Sequence, residues 1–129
     1  MKLQFKHHYT REEARAQLPE LRAWLQEIQK LRRELVQIDQ RLESIMAAGT
    51  DAGGPSVNQH ATTTARVHEL LREFNRREIF IKDPDRGLVD FPAIIGGREV
   101  YLCWEVDEDD IEFWHDIDSG FAGRERLLP

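Results

Sequence analysis

The side chains that could carry chemistry are concentrated between residues 79 and 129, where thirteen acidic residues stand against five basic ones. Carboxylates that lie close together raise one another's affinity for protons and cations. Asp90, Glu105 and Glu112 are therefore candidate ligands of a divalent metal, or an acid and base pair. His115 and the adjacent Asp116 would add nitrogen and oxygen donors. The competing interpretation is that these acids lie on the solvated face of a two-layer domain.

The sequence around two glycines predicts how these candidates are arranged. Gly96-Gly97 lies between two β-rich runs and predicts a two-residue hairpin turn, which places Asp90 opposite Cys103. A second reversal at residues 107–110 then predicts Trp104 opposite Phe113, so that Val100, Leu102 and Trp104 continue one apolar face across three strands. The two turns together predict an antiparallel meander.

The second reversal also assigns the candidates to faces of that sheet. It places Glu105 beside Glu112, and it puts Asp90, Cys103 and Trp114 in one row on the face opposite the apolar one. His115 falls between Leu102 and Ile117 on the apolar face, where a lone histidine is usually a hydrogen-bonded core residue rather than a ligand or a base. The alternative is a mixed metal site of His115 with Asp116 and Asp118, or with His7 and His8.

Cys103 is the single cysteine, so an internal disulfide is excluded and a reducing compartment is favoured. Its predicted row offers no histidine as a base, which favours a structural thiol over a nucleophile. The sequence also has no phosphate-binding glycine loop, no nucleophile-elbow serine and no recognised zinc spacing. Without a complete catalytic constellation, a non-enzymatic role is favoured.

Two predicted helices precede the acidic C-terminal module, residues 79–129, and must position it. Thr10 and Glu13 form a capping-box signature that predicts a helix start, and Pro19 predicts a kink or a break near Leu18. Ser56 and Gln59 repeat the capping pattern after the glycine-rich loop 49–55. Beyond Pro19, apolar residues recur in steps of three and four, as in a coiled-coil seam; they are Leu21, Trp24, Ile28, Leu31, Leu35, Ile38, Leu42 and Ile45.

The predicted helices differ in length, roughly 43 Å for residues 20–48 and about 33 Å for residues 56–77 at 1.5 Å per residue. The start of the first helix therefore overhangs the second, and Leu18, Leu21 and Leu25 are expected to pack on the C-terminal module. The seam also favours a homodimer through the helices, or another protein partner. The candidate interface residues are Trp24, Ile28, Leu31, Leu35 and Ile38.

Composition restricts the possible partners. The 129 residues are 40% apolar and carry a net charge of −6, and residues 79–129 supply most of the acid. Because nucleic-acid affinity comes largely from Lys and Arg on phosphates, that surface disfavours nucleic acid. No window has the roughly 20 apolar residues that span a bilayer, and the start of the chain is not a secretory signal. A cytoplasmic protein is expected.

Several blocks resemble an uncharacterised prokaryotic family, the domain-of-unknown-function family 2203. These blocks are Tyr9-Thr10 to Leu18-Pro19, Lys82-Asp83-Pro84 to Phe91-Pro92, Val100 to Trp104, Trp114-His115-Asp116, and Gly120 to Arg124. The resemblance implies a small bacterial or archaeal intracellular protein and supplies no catalytic residues. The family pattern has a glycine-glutamate turn before the Trp-His strand and a glutamate after the histidine. Residues 107–110 and Asp116 replace them here, which argues against a site that needs a longer carboxylate at 116.

The sequence therefore predicts one α+β domain over residues 1–129. A long antiparallel helical hairpin, coiled-coil-like, over residues 10–78 packs on a small antiparallel β-meander in the acidic module 79–129. The favoured function is a self-associating interaction or scaffold protein. The alternative is a divalent-metal-binding protein or metal-dependent enzyme with its site on the acidic module.

Overall fold

A computed structural model describes residues 3–49 and 54–128. The first helix, α1, spans Arg11–Ala47 and begins with the predicted capping box, in which the Thr10 side chain accepts from the Glu13 amide and Glu13 accepts from the Thr10 amide. The helix does not break at Pro19, which lies inside it. Of the predicted kink or break near Leu18, the break does not occur. Packing of the buried residues on both sides of the proline outweighs the single hydrogen bond that is lost.

The second helix, α2, spans Gly54–Arg76, so Ser56 lies inside it and is not its predicted cap. Residues 50–53 of the predicted loop lie outside the described part of the chain. Ion pairs Glu20–Arg77 and Glu27–Arg66 join residues near the start of α1 to residues near the end of α2. The helices thus form the predicted antiparallel hairpin.

The chain then forms a five-stranded antiparallel sheet in sequence order, which confirms the predicted α+β architecture. The strands are β1 (Phe80–Asp83), β2 (Leu88–Ile95), β3 (Arg98–Glu105), β4 (Phe113–Asp116) and β5 (Glu125–Arg126). Gly96 and Gly97 both have positive φ, at 60° and 77°, as a two-residue hairpin turn requires. The β2–β3 register is the predicted one, with Asp90 opposite Cys103.

The β3–β4 register differs from the prediction by one residue. Tyr101 pairs with His115 and Cys103 with Phe113, where the sequence predicted Leu102 with His115 and Trp104 with Phe113. A one-residue shift moves every side chain of β4 to the other face of the sheet. His115 therefore does not lie on the apolar face, and Trp114 leaves the predicted row with Asp90 and Cys103.

The shift arises because the connection is wider than a four-residue turn. The Val106 amide donates to the Gly87 carbonyl, which keeps Val106 beside β2. Gly87 approaches so closely that a Cβ there would lie 2.6 Å from Val106, and its φ of +70° favours glycine as well. Further along, the Asp110 carboxylate accepts from the Ile111 amide, and Ile111 is fully buried. Residues 106–112 thus all belong to the connection.

One face of the sheet packs on the helices. Its core residues are Val89, Phe91, Ala93, Val100, Leu102 and Trp104. From α1, Leu18, Leu21 and Leu25 join this core, each at most 3% exposed, as the predicted overhang of α1 requires. The distal half of the hairpin is less covered, with Val36, Met46 and Val57 exposed.

Candidate functional site

The sheet face directed away from the helices carries three buried ionisable or metal-ligating side chains. Asp90 on β2 and Cys103 on β3 are directly opposite each other, and His115 on β4 is one position along the same face. The three residues are 2%, 1% and 3% exposed. Buried groups of this kind require partners, because an unpaired one costs several kcal/mol of desolvation at order of magnitude.

The Asp90 carboxylate connects the three residues, since it interacts with both His115 and the Cys103 thiol. His115 Nε2 lies 3.1 Å from both carboxylate oxygens of Asp90. His115 Nδ1 lies 2.8 Å from the Asp116 carbonyl, which can only accept, so Nδ1 carries a hydrogen. One further proton is then shared between Nε2 and Asp90. The donor atoms of Asp90, Cys103 and His115 all lie within 4.8 Å of one another. We call these three residues the buried trio.

Burial shifts the pKa values of two members of the trio, Asp90 and Cys103. Loss of solvent raises the pKa of Asp90, while the neighbouring His115 lowers it. Burial also raises the pKa of the Cys103 thiol to about 12, assisted by the charge of Asp90. Cys103 is therefore a neutral thiol near neutral pH. It is not an activated nucleophile, since that role requires a thiolate.

Two layers of side chains cover the trio. On one side, the Phe5 ring packs on Phe80 and Tyr101, with ring centroids 5.4 and 5.6 Å away. Tyr101 in turn contacts the ring of His115 at 5.4 Å.

On the other side, the Arg124 guanidinium lies 3.6 Å above the ring of Phe113, the cross-strand neighbour of Cys103. Arg124 also forms an ion pair with Glu108. Among the described residues, its buried Nε is the one buried side-chain polar atom without a hydrogen-bond partner. The side chains of Arg124 and Phe113 thus cover this side of the trio.

The remaining acidic candidates lie apart from the trio, each in its own ion pair. Glu105 pairs with Arg86, and Glu112 lies 3.9 Å from Arg126. The ladder between β3 and β4 ends at Cys103 and Phe113, so the predicted pairing of Glu105 with Glu112 does not form. Asp116 Oδ1 lies 2.9 Å from Arg98. Of the predicted metal ligands, the structure brings together Asp90 and His115.

The histidines of the alternative site are also separate from the trio. His8 Nε2 lies 2.8 Å from Glu99, and the His7 ring packs on Tyr9. Sequence reasoning missed Cys103 as a partner of His115 because the register of β4 was wrong. The sequence did not give this register, because it depends on the burial of Ile111, which lengthens the connection before β4.

Most of the predicted interface residues pack against other parts of the same chain. Ile28 and Ile38 are each 1% exposed. The partly buried Trp24 and Leu31 pack against the core, and the Trp24 ring lies 5.9 Å from that of Phe74. Leu35 is half-buried. The apolar side chains that stay accessible on the hairpin are therefore different from the predicted ones.

Comparison with known proteins places the chain in a family. Residues 7–127 match the uncharacterised conserved protein family DUF2203, so the chain belongs to this family, as the sequence blocks indicated. No curated protein and no solved structure gives a significant match. Within the described residues, no helix combines the length and apolar composition needed to cross a bilayer. The candidate function therefore depends on the geometry of the site.

Proposed function

We propose that this protein binds a divalent transition-metal ion, with zinc as the leading candidate, through Asp90, Cys103 and His115. The observation that carries the proposal is the convergence of a carboxylate, a thiol and an imidazole within 4.8 Å in a buried part of the chain. Zinc is commonly bound by this combination of oxygen, sulfur and nitrogen donors. A three-residue set leaves a fourth position for water or a further ligand.

The orientation of His115 suits a ligand. Metal-bound histidines usually donate their second ring hydrogen to a carbonyl or carboxylate, which fixes the tautomer and directs the other nitrogen at the metal. His115 Nδ1 makes such a bond to the Asp116 carbonyl, and Nε2 is directed at Asp90. A metal ion would take the place of the proton that Nε2 and Asp90 share.

The charge of the trio also suits a divalent ion. A carboxylate and a thiolate together balance two positive charges, so the bound site is neutral overall and tolerates burial. Because Cys103 is a neutral thiol in the free protein, binding must displace its proton. Metal affinity is therefore expected to rise with pH. A hydrogen-bonded core network without a metal is the competing account of the same residues.

Zinc titration by calorimetry of protein purified without chelator or metal column separates these accounts. Wild type should bind one zinc ion per chain, and Cys103→Ser and His115→Ala should each weaken binding by at least a hundredfold. His68→Ala, which removes an exposed histidine from α2, is the matched control and should bind as wild type does. Equal weak binding by all four proteins would contradict the proposal and leave the core network.

A second candidate function is self-association through the distal hairpin, as in a scaffold protein. It is supported by the exposure of Val36, Met46 and Val57, at 56%, 67% and 46%, on the half of the hairpin that extends beyond the sheet. In a homodimer, a second copy would cover these side chains. Sedimentation should then show a concentration-dependent dimer that Val36→Glu abolishes. Val36 is the better probe than Trp24, which packs on its own core.

A further inference from the structure

The N-terminal strap, residues 4–9, closes one side of the buried trio. Its Phe5 ring packs on Tyr101, which packs on His115, so these three rings form a continuous layer over that side. The strap is neither helix nor strand. Among the described residues, its backbone hydrogen bond to the sheet is the one from the Tyr9 amide to the Pro92 carbonyl.

Two carboxylates hold the rest of the strap. The Glu99 carboxylate accepts from the amides of Gln4 and Phe5, at 2.7 and 3.1 Å, and lies 2.8 Å from His8 Nε2. Glu78 accepts from the amides of Lys6 and His7 at 2.9 and 2.6 Å. Amide bonds to an ionised carboxylate are stronger than neutral ones, but here they depend on only two side chains.

Glu99 is the more important of these anchors for the trio. It lies on β3 two residues from Tyr101, so its side chain emerges on the same sheet face as Tyr101 and Cys103. It is 9% exposed and holds the amide of Phe5 itself. Glu78 follows α2 and holds the exposed Lys6 and His7. Losing Glu99 therefore releases the ring that covers Tyr101.

The C-terminal segment around Arg124, which covers the other side of the trio, is held by more contacts than the strap. Arg124 is nine-tenths buried between Phe113, Phe121 and Glu108. The chain that follows it pairs as β5 with β4, and the Leu127 amide donates to the Glu112 carbonyl. Segments with few buried contacts and few backbone hydrogen bonds open first. The strap makes fewer backbone hydrogen bonds to the sheet than the C-terminal segment around Arg124 does.

We propose that the N-terminal strap is a gate to the buried trio and that the Glu99 side chain holds this gate closed. The gate opens when Phe5 leaves Phe80 and Tyr101, which uncovers the trio from the side of Asp90 and His115 while the helices and the sheet stay folded. That a metal ion uses this route rests on the proposed function. The opening itself can be measured on the metal-free protein.

Cys103 reports the opening directly, since it is the single cysteine in the chain. An aromatic disulfide reagent reacts with it when the trio is exposed and releases a coloured thiolate. In the metal-free protein at neutral pH, Glu99→Ala should accelerate labelling at least tenfold, because two charge-assisted amide bonds are lost. Phe5→Ala should also accelerate it. The dependence of labelling on low denaturant should stay weak, as for local opening.

Val67→Ala is the control for a general loss of stability. Val67 lies in α2 at 9% exposure, outside the core that contacts the sheet. If Val67→Ala, compared at equal melting temperature, labels as fast as Glu99→Ala, the acceleration reflects global unfolding and the gate is wrong. Labelling of Glu99→Ala and Phe5→Ala at the wild-type rate would also overturn it.

The same variants separate the gate from the proposed function. With zinc bound, Glu99→Ala should lose the ion to a chelator faster than wild type, while the zinc affinity changes less than the rate. Accelerated thiol labelling without any zinc binding would support the gate and contradict metal binding. Unchanged labelling with intact zinc binding would contradict the gate and support metal binding.

Discussion

The two faces of the sheet bury side chains of different chemistry. The buried residues of the face toward the helices are apolar and pack on α1 and α2. The other face carries Asp90, Cys103 and His115, and it is covered by an irregular strap and by arginine and aromatic side chains. Burial of apolar surface stabilises the first face, whereas the second holds groups that are costly to bury.

The difference separates the apolar core from the proposed metal site. A buried polar group that serves stability alone is often replaceable by an apolar one of similar size. The trio holds a carboxylate, a thiol and an imidazole within 4.8 Å of one another on the face that the helices leave uncovered. We therefore assign stability chiefly to the helix-facing side, whereas the proposed metal site lies on the other side.

The largest effect is expected from Trp104→Ala on the helix-facing side. Trp104 is fully buried, and its indole donates to the Glu108 carbonyl. Truncation should cost about 3–5 kcal/mol of unfolding free energy, through lost transfer energy and the cavity left behind. Urea unfolding measures this loss, which should be the same with and without zinc. A loss under 1 kcal/mol would contradict the assignment of stability to this face.

Breaking the buried pair should cost about 3 kcal/mol in the metal-free protein. His115→Leu leaves the buried Asp90 carboxyl without its histidine partner. The double variant Asp90→Val, His115→Leu should recover most of that loss, because neither residue is then unpaired. Urea unfolding of the single and double variants forms the comparison. Additive losses would show that the pair is not coupled.

Zinc should stabilise the protein through the trio alone. At a free zinc concentration a hundred times the dissociation constant, the gain is about 2.7 kcal/mol. Thermal unfolding with and without zinc measures it, after chelator has removed any copurified ion. Cys103→Ser should abolish the gain, while Glu112→Gln should keep it, since Glu112 lies in its own ion pair with Arg126. An equal gain in Cys103→Ser would mean that zinc binds elsewhere.

The smallest effect is expected at the rim of the helix-facing side. Hydrogen bonding to Arg15 lowers the pKa of Asp110, which joins α1 to the β3–β4 connection. Its stabilisation is therefore present above the ordinary carboxyl pKa of about 4 and disappears as the pH falls through the lowered value. Asp110→Asn should cost about 0.5–1 kcal/mol at pH 7. The difference from wild type should shrink as the pH falls through the lowered pKa of Asp110.

The sequence could predict the helix-facing side because turn chemistry and apolar periodicity agreed there. Gly96-Gly97 set the β2–β3 register correctly, and the capping box at Thr10 set the start of α1. The trio could not be predicted because its assembly depends on the β3–β4 connection. The acidic residues 107–110 predicted a tight turn. The connection is longer than that, because Val106 and Ile111 make tertiary contacts of their own. One residue of register then decides which face His115 occupies.

The central claim is that the trio binds a metal, and cobalt titration followed by absorption spectroscopy tests it most directly. Cobalt(II) replaces zinc in such sites, and a thiolate ligand gives an intense charge-transfer band in the near ultraviolet. The account predicts this band, saturating at one cobalt per chain, in wild type and its absence in Cys103→Ser. A wild-type spectrum without the band, or one that Cys103→Ser leaves unchanged, would contradict it.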